Sequence, residues 1–231
     1  MHTVWLLNLD SVPYADALDL QHRIVAARKN GARDDVLILL EHPPVFTLGR
    51  NANDSNILAS PEFLRQHGIE IFHVERGGDV TYHGPQQLVG YPILDLNHFR
   101  RDVGWYVRAL EELLIRALAD FGIQGKRIEK LVGVWTGEEK IAQIGARIEQ
   151  WITYHGFALN VDPPMEHFDL IVPCGISDKA VTSMARVLNR AIDMRDVRAR
   201  VAARFADVFD VELKEITRAE LEDRLKELQP A

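Results

Sequence analysis

The chain has 231 residues, of which 47% are hydrophobic and 26% charged, and its formal net charge is −7 at pH 7. This composition is typical of a soluble globular protein with a sizeable core. An acidic chain lacks the broad basic face that non-specific nucleic-acid binding requires, so nucleic acid is not an expected partner.

The cysteine count and the apolar segments predict where the protein works. The one cysteine, Cys174, cannot form an intrachain disulfide, which suits a reducing compartment. Residues 1–14 contain an apolar run that is too short for a signal peptide and has no basic lead-in. No stretch reaches the apolar length of a membrane span. We therefore expect a cytoplasmic protein with no membrane partner.

The first elements are a helix, a strand and a loop. Residues 14–30 carry apolar side chains at roughly helical spacing and are followed by Gly31, which predicts a helix with a glycine stop. Residues 36–40 form a solid apolar run, typical of a strand buried on both faces. Residues 41–56 are dense in turn formers and predict a loop.

The middle of the chain predicts two strands around a second loop, followed by a helix. Residues 70–75 and 88–94 have strand character, and the loop between them covers residues 76–87. Apolar side chains at helical spacing over residues 103–121 predict a long helix that Gly122 closes.

The remainder predicts more strands and then helices. Within the strand-rich residues 126–161, the segments 140–148 and 152–161 are expected to form a hairpin. Helices are predicted over residues 193–208 and 220–228. Before the second of these, Thr217 with Glu220 matches a capping box.

This order of elements predicts an α/β fold, more fully an α+β mixed sheet flanked by helices. We expect a single catalytic domain over residues 1–231, with a core over roughly residues 1–190 and a helical C-terminal portion over 190–231.

The loop at residues 76–87 is the first candidate site. Gly77 and Gly78 permit positive φ and a close approach of a ligand to the backbone, and Thr81, Tyr82 and His83 add hydrogen-bonding groups. A tight polar turn between two strands is the alternative interpretation.

Cys174 is the second candidate. It lies between Pro173 and Gly175 in a segment expected to be irregular, where functional residues are common. The backbone N–H groups of Gly175 and Ile176 could stabilise an oxyanion. A small buried side chain without a chemical role is the alternative.

A cysteine nucleophile needs a partner, because only the thiolate attacks and a free thiol has a pKa of about 8.5. A nearby cation stabilises the thiolate. The candidates are His83, His155, Lys140 and Lys179, and spacing does not choose among them. Lys140 begins an otherwise apolar strand segment, although a solvated lysine at a strand end is the common alternative.

Several motifs are missing. The chain has no phosphate-binding loop of the G-x-x-x-x-G-K-[ST] type, no G-x-G-x-x-G fingerprint, no H-E-x-x-H and no G-x-S-x-G. One cysteine cannot build a zinc knuckle. The sequence thus gives no support for a metal or for serine-hydrolase chemistry.

Three segments resemble one known family, the lipoyl(octanoyl) transferases, or octanoyl-[acyl-carrier-protein]:protein N-octanoyltransferases. They are residues 76–96, RGGDVTYHGPQQLVGYPILDL; residues 133–161, GVWTGEEKIAQIGARIEQWITYHGFALNV; and residues 173–184, PCGISDKAVTSM. With residues 39–51, the resemblance covers most of the first 190 residues. It implies the fold of the biotin and lipoate protein ligases.

The resemblance also implies roles for individual residues. Cys174 would carry the acyl group as a thioester, and Lys140 would lower the pKa of its thiol. The implied acyl-substrate pocket consists of Arg76, Gly77, Gly78, Asp79, Val80, Thr81, Tyr82, His83, Gln143, Ile144, Gly145, Gly156, Phe157 and Ala158.

One position departs from the family pattern, which usually reads HGPGQ. Here Gln86 replaces the glycine in His83-Gly84-Pro85-Gln86-Gln87. If that position requires positive φ, Gln86 adds strain on the order of 1 kcal/mol.

The activity implied by the resemblance is the first step of endogenous protein lipoylation. The octanoyl or lipoyl donor would be acyl carrier protein, and the acceptors would be lysines on the lipoyl domains of 2-oxoacid dehydrogenase complexes and on the glycine cleavage H protein. No cofactor is implied, because the thioester donor is already activated. Arg50, Arg76, Arg147 and Lys179 are candidates for docking an acidic carrier protein.

Three other functions remain open at this point. An ATP-dependent lipoate or biotin ligase of the same fold would not need Cys174. A papain-like hydrolase would pair Cys174 with His83 or His155 and release free acid. A non-catalytic module that binds lipoyl domains would need neither Cys174 nor Lys140.

Overall fold

The structure is a computed structural model that describes residues 2–172 and 180–227. Cys174, Lys179 and the predicted end of the last helix at Leu228 therefore lie outside the described residues.

The described residues form a mixed α/β structure, as predicted from the sequence. The helices are α1 (Tyr14–Lys29), α2 (Pro61–Gln66), α3 (Val103–Ala119), α4 (Met184–Leu188), α5 (Met194–Phe209) and α6 (Arg218–Glu227). The strands are β1 (His2–Ser11), β2 (Asp35–Glu41), β3 (Val45–Leu48), β4 (Glu70–His73), β5 (Val80–His83), β6 (Gln87–Ile93), β7 (Lys126–Ile128), β8 (Leu131–Thr136), β9 (Glu139–Glu149), β10 (Ile152–Asn160) and β11 (Val211–Glu215). Three short 3-10 helices cover Asp54–Asn56, Leu96–His98 and Met165–Leu170.

Eight strands form the main sheet, in the order β11-β1-β2-β6-β10-β9-β8-β7. Strand β1 is parallel to both of its neighbours, and the other neighbouring pairs are antiparallel. The predicted hairpin is confirmed as β9 and β10, which pair over most of their length.

Helices cover both faces of the main sheet. On one face α1 packs on β6 and β10, and on the other α3 packs on β8, β9 and β10 while α5 packs on β6 and β11. Strand β2 accordingly contributes Leu37 and Leu39 to one apolar cluster, and Ile38 and Leu40 to the other. All four side chains are fully buried, which confirms a strand buried on both faces.

Two segments predicted to be loops contain buried strands. Strand β3 lies within residues 41–56 and β5 lies within residues 76–87, and with β4 they form a second sheet in the order β4-β3-β5. Each has four residues, which is too short for a periodic signal among so many turn formers. The loop predictions were therefore wrong at these two strands.

The C-terminal portion is more than helical. Both predicted helices are present as α5 and α6, and the capping box is confirmed by the bonds between Thr217 and Glu220. Between the helices, β11 adds a parallel strand beside β1. The segment after residue 190 thus extends the main sheet.

Candidate functional site

Residues 76–79 form a short loop before β5, which we call the glycine loop. A narrow cavity of about 40 Å³ lies where the glycine loop and strand β5 meet the main sheet. We call it the inner cavity. Thirteen of the fourteen residues predicted to bind the acyl substrate line it, together with Tyr14, Tyr91 and His155. The lining residues are Tyr14, Arg76, Gly77, Gly78, Asp79, Val80, Thr81, His83, Tyr91, Gln143, Ile144, Gly145, His155, Gly156, Phe157 and Ala158.

Tyr82 is the predicted binding residue that does not line the inner cavity. Side chains alternate along a strand, so Tyr82 points away from its neighbours Thr81 and His83. Its ring packs against Phe46 and Phe168 in a separate apolar cluster. The structure thus gives Tyr82 a packing environment apart from the cavity.

The glycine loop is fastened to both sheets. The Arg76 guanidinium is buried and donates from Nη2 to the Thr47 carbonyl oxygen at 2.5 Å. The Gly77 N–H donates to the Ala146 carbonyl oxygen of β9 at 3.0 Å. A Cβ on Gly145 would lie 3.1 Å from both Arg76 Cδ and the Gly77 oxygen, so a glycine there lets the loop approach the strand.

A wider cleft of about 610 Å³ adjoins the inner cavity. We call it the outer cleft. The two share Gly77, Gly78, Gln143, Ile144 and Gly145. Four basic residues line the outer cleft, against one acidic residue, Glu75; the basic residues are Arg50, Lys130, Lys140 and Arg147. The cleft is therefore locally basic in a chain of net negative charge.

Lys140 lies in the outer cleft at the start of β9. Its side chain is buried, and Nζ lies 4.9 Å from the centre of the Trp135 ring. Its backbone N–H donates to the Ala180 oxygen at 2.9 Å, and its own carbonyl accepts from the Thr182 N–H at 2.9 Å. The chain that follows the cysteine segment is thereby fixed against Lys140.

Comparison with known proteins identifies the family to which the chain belongs. The lipoyl protein ligase A/B catalytic domain family matches the chain over residues 13–206. The chain belongs to this family. It is 52% identical to an octanoyltransferase of Solibacter usitatus (strain Ellin6076) over 213 residues, which cover 92% of this chain and 96% of the relative. The family resemblance found in the sequence is confirmed.

Solved structures agree on the fold of this lipoyl protein ligase A/B catalytic domain. A putative lipoate protein ligase from T. acidophilum with bound lipoic acid superposes with a TM-score of 0.76 at 17% identity, covering 99% of this chain and 95% of the other. A biotin protein ligase from Aquifex aeolicus gives a TM-score of 0.52 at 14% identity, covering 90% and 70%. At these identities the likeness shows the fold alone.

Two histidines, His83 and His155, line the inner cavity of this family member, and a third, His42, packs beside His83 and Tyr91. His42 donates from Nδ1 to the Val12 carbonyl oxygen at 2.7 Å, which leaves Nε2 to accept from the Tyr91 hydroxyl at 2.7 Å. His83 donates from Nδ1 to Gln87 Oε1 at 2.8 Å. In the neutral form of either ring, these bonds place the proton on Nδ1.

Burial keeps the histidines uncharged. It lowers the pKa of His42 to about 4 and the pKa of His155 to about 3, and with the nearby His42 it lowers the pKa of His83 well below its ordinary value. A neutral imidazole cannot supply the cation that a thiolate requires. Among the described candidates for that role, Lys140 is therefore favoured over His83 and His155.

Gln86 has the positive φ that the family's usual glycine at this position suggested. Gln86 has a φ of 60°, in the left-handed region that favours glycine. Its N–H donates to Glu41 Oε2 at 2.7 Å, and its carbonyl accepts from the N–H groups of Val161 and Asp162. The surrounding contacts hold the loop in a glycine-like turn despite the side chain.

One group of possible metal ligands occurs among the described residues, away from both cavities. His2, Asp35 and His98 place ligand atoms within 4.8 Å of one another. The Asp35 carboxylate already pairs with His2 at 2.7 Å and with the Arg28 guanidinium at 3.1 Å. The cluster is thus accounted for by ion pairing. Within the same described ranges, no helix has both the length and the apolar character to cross a membrane.

Proposed function

We propose that the protein is an octanoyltransferase that carries the acyl group on Cys174 and delivers it to a lysine of a lipoyl domain. The observation that carries the proposal is the position of Lys140, a buried lysine in the cleft beside the inner cavity and paired with residues 180–182. The name and high identity of the octanoyltransferase relative support the same activity.

The first half-reaction joins the acyl group to the enzyme. The Cys174 thiolate attacks the thioester carbonyl of octanoyl-acyl carrier protein, and collapse of the tetrahedral intermediate expels the carrier's thiolate. The ammonium of Lys140 stabilises the attacking thiolate and can protonate the leaving sulfur. One thioester replaces another, so the free-energy change of this step is close to zero.

The oxyanion of that intermediate requires donors. Gln143 Nε2 and Thr81 Oγ1 are buried, line the inner cavity and have no hydrogen-bond partner within residues 2–172 and 180–227. An unpartnered buried donor is costly, so a carbonyl oxygen in the cavity would satisfy either group. These side chains join the backbone N–H groups near Gly145 and Gly175 as candidates.

The second half-reaction transfers the group to protein. The lysine amine of the acceptor attacks the Cys174 thioester, the Cys174 thiolate leaves, and the amine proton passes to Lys140 or to the departing sulfur. An amide is more stable than a thioester, so this step drives the overall reaction forward. Proposed acceptors are the lipoyl domains of 2-oxoacid dehydrogenase complexes and the glycine cleavage H protein.

The outer cleft supports acyl carrier protein as the donor. Its basic lining, including Arg50, Lys130 and Arg147, offers local attraction to an acidic carrier that the chain's net charge would otherwise repel. Arg50 and Arg147, two of the basic residues selected from the sequence, lie in this cleft. Arg76 is buried in the inner cavity, so its guanidinium is not available for surface docking.

Intact mass spectrometry tests the proposal. Incubation with octanoyl-acyl carrier protein in the absence of ATP is expected to add one octanoyl group that hydroxylamine removes, with no adduct on Cys174→Ser. Addition of a lipoyl domain should then discharge the enzyme and yield an acceptor adduct that hydroxylamine leaves intact.

The same experiment separates the alternative functions. A requirement for ATP indicates a ligase, and release of octanoate without acceptor modification indicates a hydrolase. Complex formation with the lipoyl domain and no adduct on either protein indicates a binding module. Any of these three results contradicts the transferase.

A further inference from the structure

His155 has an unusual backbone conformation within a regular strand. It lies inside β10 and pairs with Ala146 of β9, yet its φ is 53°. A left-handed conformation costs a non-glycine residue about 1–2 kcal/mol, so the surroundings must hold it in place. Its N–H donates to Gln21 Oε1 of α1 at 2.8 Å, which is one such restraint. Strain of this kind is concentrated at functional sites.

The imidazole of His155 is buried in the wall of the inner cavity. The residue is 1% exposed, and neither ring nitrogen has a hydrogen-bond partner among the residues described. Glu75 Oε2 lies 3.8 Å from Nε2, which is too far for a hydrogen bond. The Tyr91 ring meets the imidazole edge-on, with centroids 6.5 Å apart. The Tyr154 ring stacks on it, with centroids 5.0 Å apart, so the imidazole is held in the cavity lining by packing.

Burial also makes the ring compatible with an alkyl chain. Because the pKa of His155 is lowered to about 3, the imidazole is neutral at physiological pH. A neutral aromatic ring can pack against a terminal methyl group, whereas a charged ring would lose free energy by being buried against an alkyl chain. Further methylenes would have to displace the ring or the strand that holds it.

The register of β9 and β10 relates this wall to the length of the acyl chain. Gln143 pairs with Ala158 and Ala146 pairs with His155, so the two rows are three residues apart along β9. Three residues span about 10 Å at the strand rise of about 3.3 Å. An extended octanoyl chain has seven C–C bonds of about 1.5 Å, which project to about 9 Å.

The direction in which the acyl chain lies in the inner cavity follows from the position of Lys140. Lys140 precedes Gln143 on β9 and is paired with the segment that follows the cysteine, so the reacting carbonyl belongs at the Gln143 end of the cavity. The terminal methyl group then reaches the row of His155. Gly145 and Gly156 form the row before it, and both line the inner cavity with backbone alone. Arg76 and Gly77 pack closely against the first glycine, and Gly90 and Pro92 against the second.

We propose that His155 is the end wall of the acyl pocket and limits the length of the acyl chain that the enzyme accepts. The proposal rests on the proposed function, since it assumes that an acyl chain occupies the inner cavity. It makes His155 a specificity-determining residue for a saturated, unbranched acyl group.

Fatty-acid binding tests the length limit without acyl transfer. On a Cys174→Ser background, isothermal titration with hexanoate, octanoate, decanoate and dodecanoate is expected to show the tightest binding for octanoate. His155→Ala should raise the affinity for decanoate relative to octanoate about tenfold, as expected for two methylenes placed in an apolar site. His155→Trp should move the optimum to hexanoate.

His22→Ala is the matched control. His22 Nε2 also lies near Glu75, at 3.7 Å, but its side chain is half-exposed on α1 and does not line the inner cavity. This variant should keep the wild-type length profile. Circular dichroism and thermal unfolding establish that each variant is folded.

The outcomes separate the two proposals. An unchanged length optimum in folded His155→Ala and His155→Trp overturns the role of His155, as does the absence of length-dependent binding. Failure of the wild-type protein to form an acyl adduct on Cys174 overturns the transferase instead, and leaves the binding profile as an independent measurement of the pocket.

Discussion

The carbonyl oxygen of Lys140 accepts a hydrogen bond of 2.9 Å from the backbone N–H of Thr182. With the reciprocal bond from the Lys140 N–H to Ala180, it makes a short parallel bridge between β9 and the chain that follows the cysteine segment. Residues that are 42 positions apart in the sequence thus share one local backbone framework. The proposed role of Lys140 requires a lysine that is fixed relative to the chain around residue 174, and this bridge fixes it to the chain from residue 180 onward.

Replacement of Lys140 should therefore change the pKa of the Cys174 thiol while the fold is kept. In Lys140→Ala we expect the pKa of the Cys174 thiol to rise toward the ordinary value of about 8.5, because the neighbouring cation is removed. Acyl transfer should fall at least about 100-fold, in the range of acid–base and nucleophile-activation effects. The rate of iodoacetamide alkylation as a function of pH measures the thiol pKa directly.

Lys130→Ala is the control for Lys140, since Lys130 lines the same cleft but is exposed. It should leave the alkylation profile unchanged. Lys140→Arg keeps a positive charge and should retain a lowered thiol pKa, although with less transfer because the longer side chain must fit a buried site. An identical profile in wild type and Lys140→Ala would remove Lys140 from the mechanism.

Much of the fold follows from local patterns in the sequence. The apolar run of β2 is long enough to indicate a strand buried on both faces, and the two neighbouring apolar stretches of β9 and β10 indicate a hairpin. Strands β3 and β5 could not be predicted in this way. Each has four residues and lies in a segment dense in turn formers, which conceal its strand character, and its pairing partners are brought together by the tertiary fold.

In the candidate site, too, some features follow from local sequence and others depend on the tertiary fold. Thirteen of the pocket residues could be inferred because they occupy contiguous segments that resemble known motifs. Tyr14 could not, because it lies on α1, outside those segments, and reaches the cavity only through packing on the main sheet. Tyr91 lies within one of those segments, but its place in the cavity lining depends on how β6 packs. The uncharged state of His83 and His155 also depends on burial, which the sequence does not specify.

The buried neutral histidines should make stability fall in mild acid. His42 titrates near 6.5 when unfolded and at about 4 when folded, so between these values the unfolded state binds a proton that the folded state does not. The stability from neutral His42 is complete above about pH 6.5 and is lost as the pH falls toward about 4. Its loss between pH 7 and pH 5 should be on the order of 1–2 kcal/mol.

Urea unfolding at pH 7, 6 and 5 measures this contribution. His42→Asn should be less stable than wild type at pH 7, because the bond with the Tyr91 hydroxyl is lost, but its free energy of unfolding should decrease less on acidification. The control is His67→Gln, which changes a histidine exposed at the end of α2. A wild-type pH slope in His42→Asn contradicts the assignment.

The left-handed turn at Gln86 predicts that a glycine is favourable there. Gln86→Gly should raise the free energy of unfolding by up to about 1 kcal/mol, because glycine adopts positive φ without a Cβ clash. Gln66→Gly makes the same change at the last residue of helix α2, where it should lower the stability. Denaturant titration of both variants measures the two effects, and a stability change of the same sign at both sites is inconsistent with strain at Gln86.

The basic lining of the outer cleft predicts a donor-dependent defect. Arg50 and Lys130 are exposed at this cleft, so the double variant Arg50→Glu with Lys130→Glu reverses the local charge without disturbing the inner cavity. For octanoyl-acyl carrier protein, kcat/KM should fall about tenfold and depend less on salt, because rim charges act mainly on association. For the small uncharged donor octanoyl-N-acetylcysteamine, it should change by less than about twofold. Lys214→Glu, an exposed reversal on β11 that lines neither cavity, should leave both donors unaffected. An equal loss with both donors would place Arg50 and Lys130 in the folding or chemistry of the site, and the outer cleft would lose its role as the docking surface for the carrier.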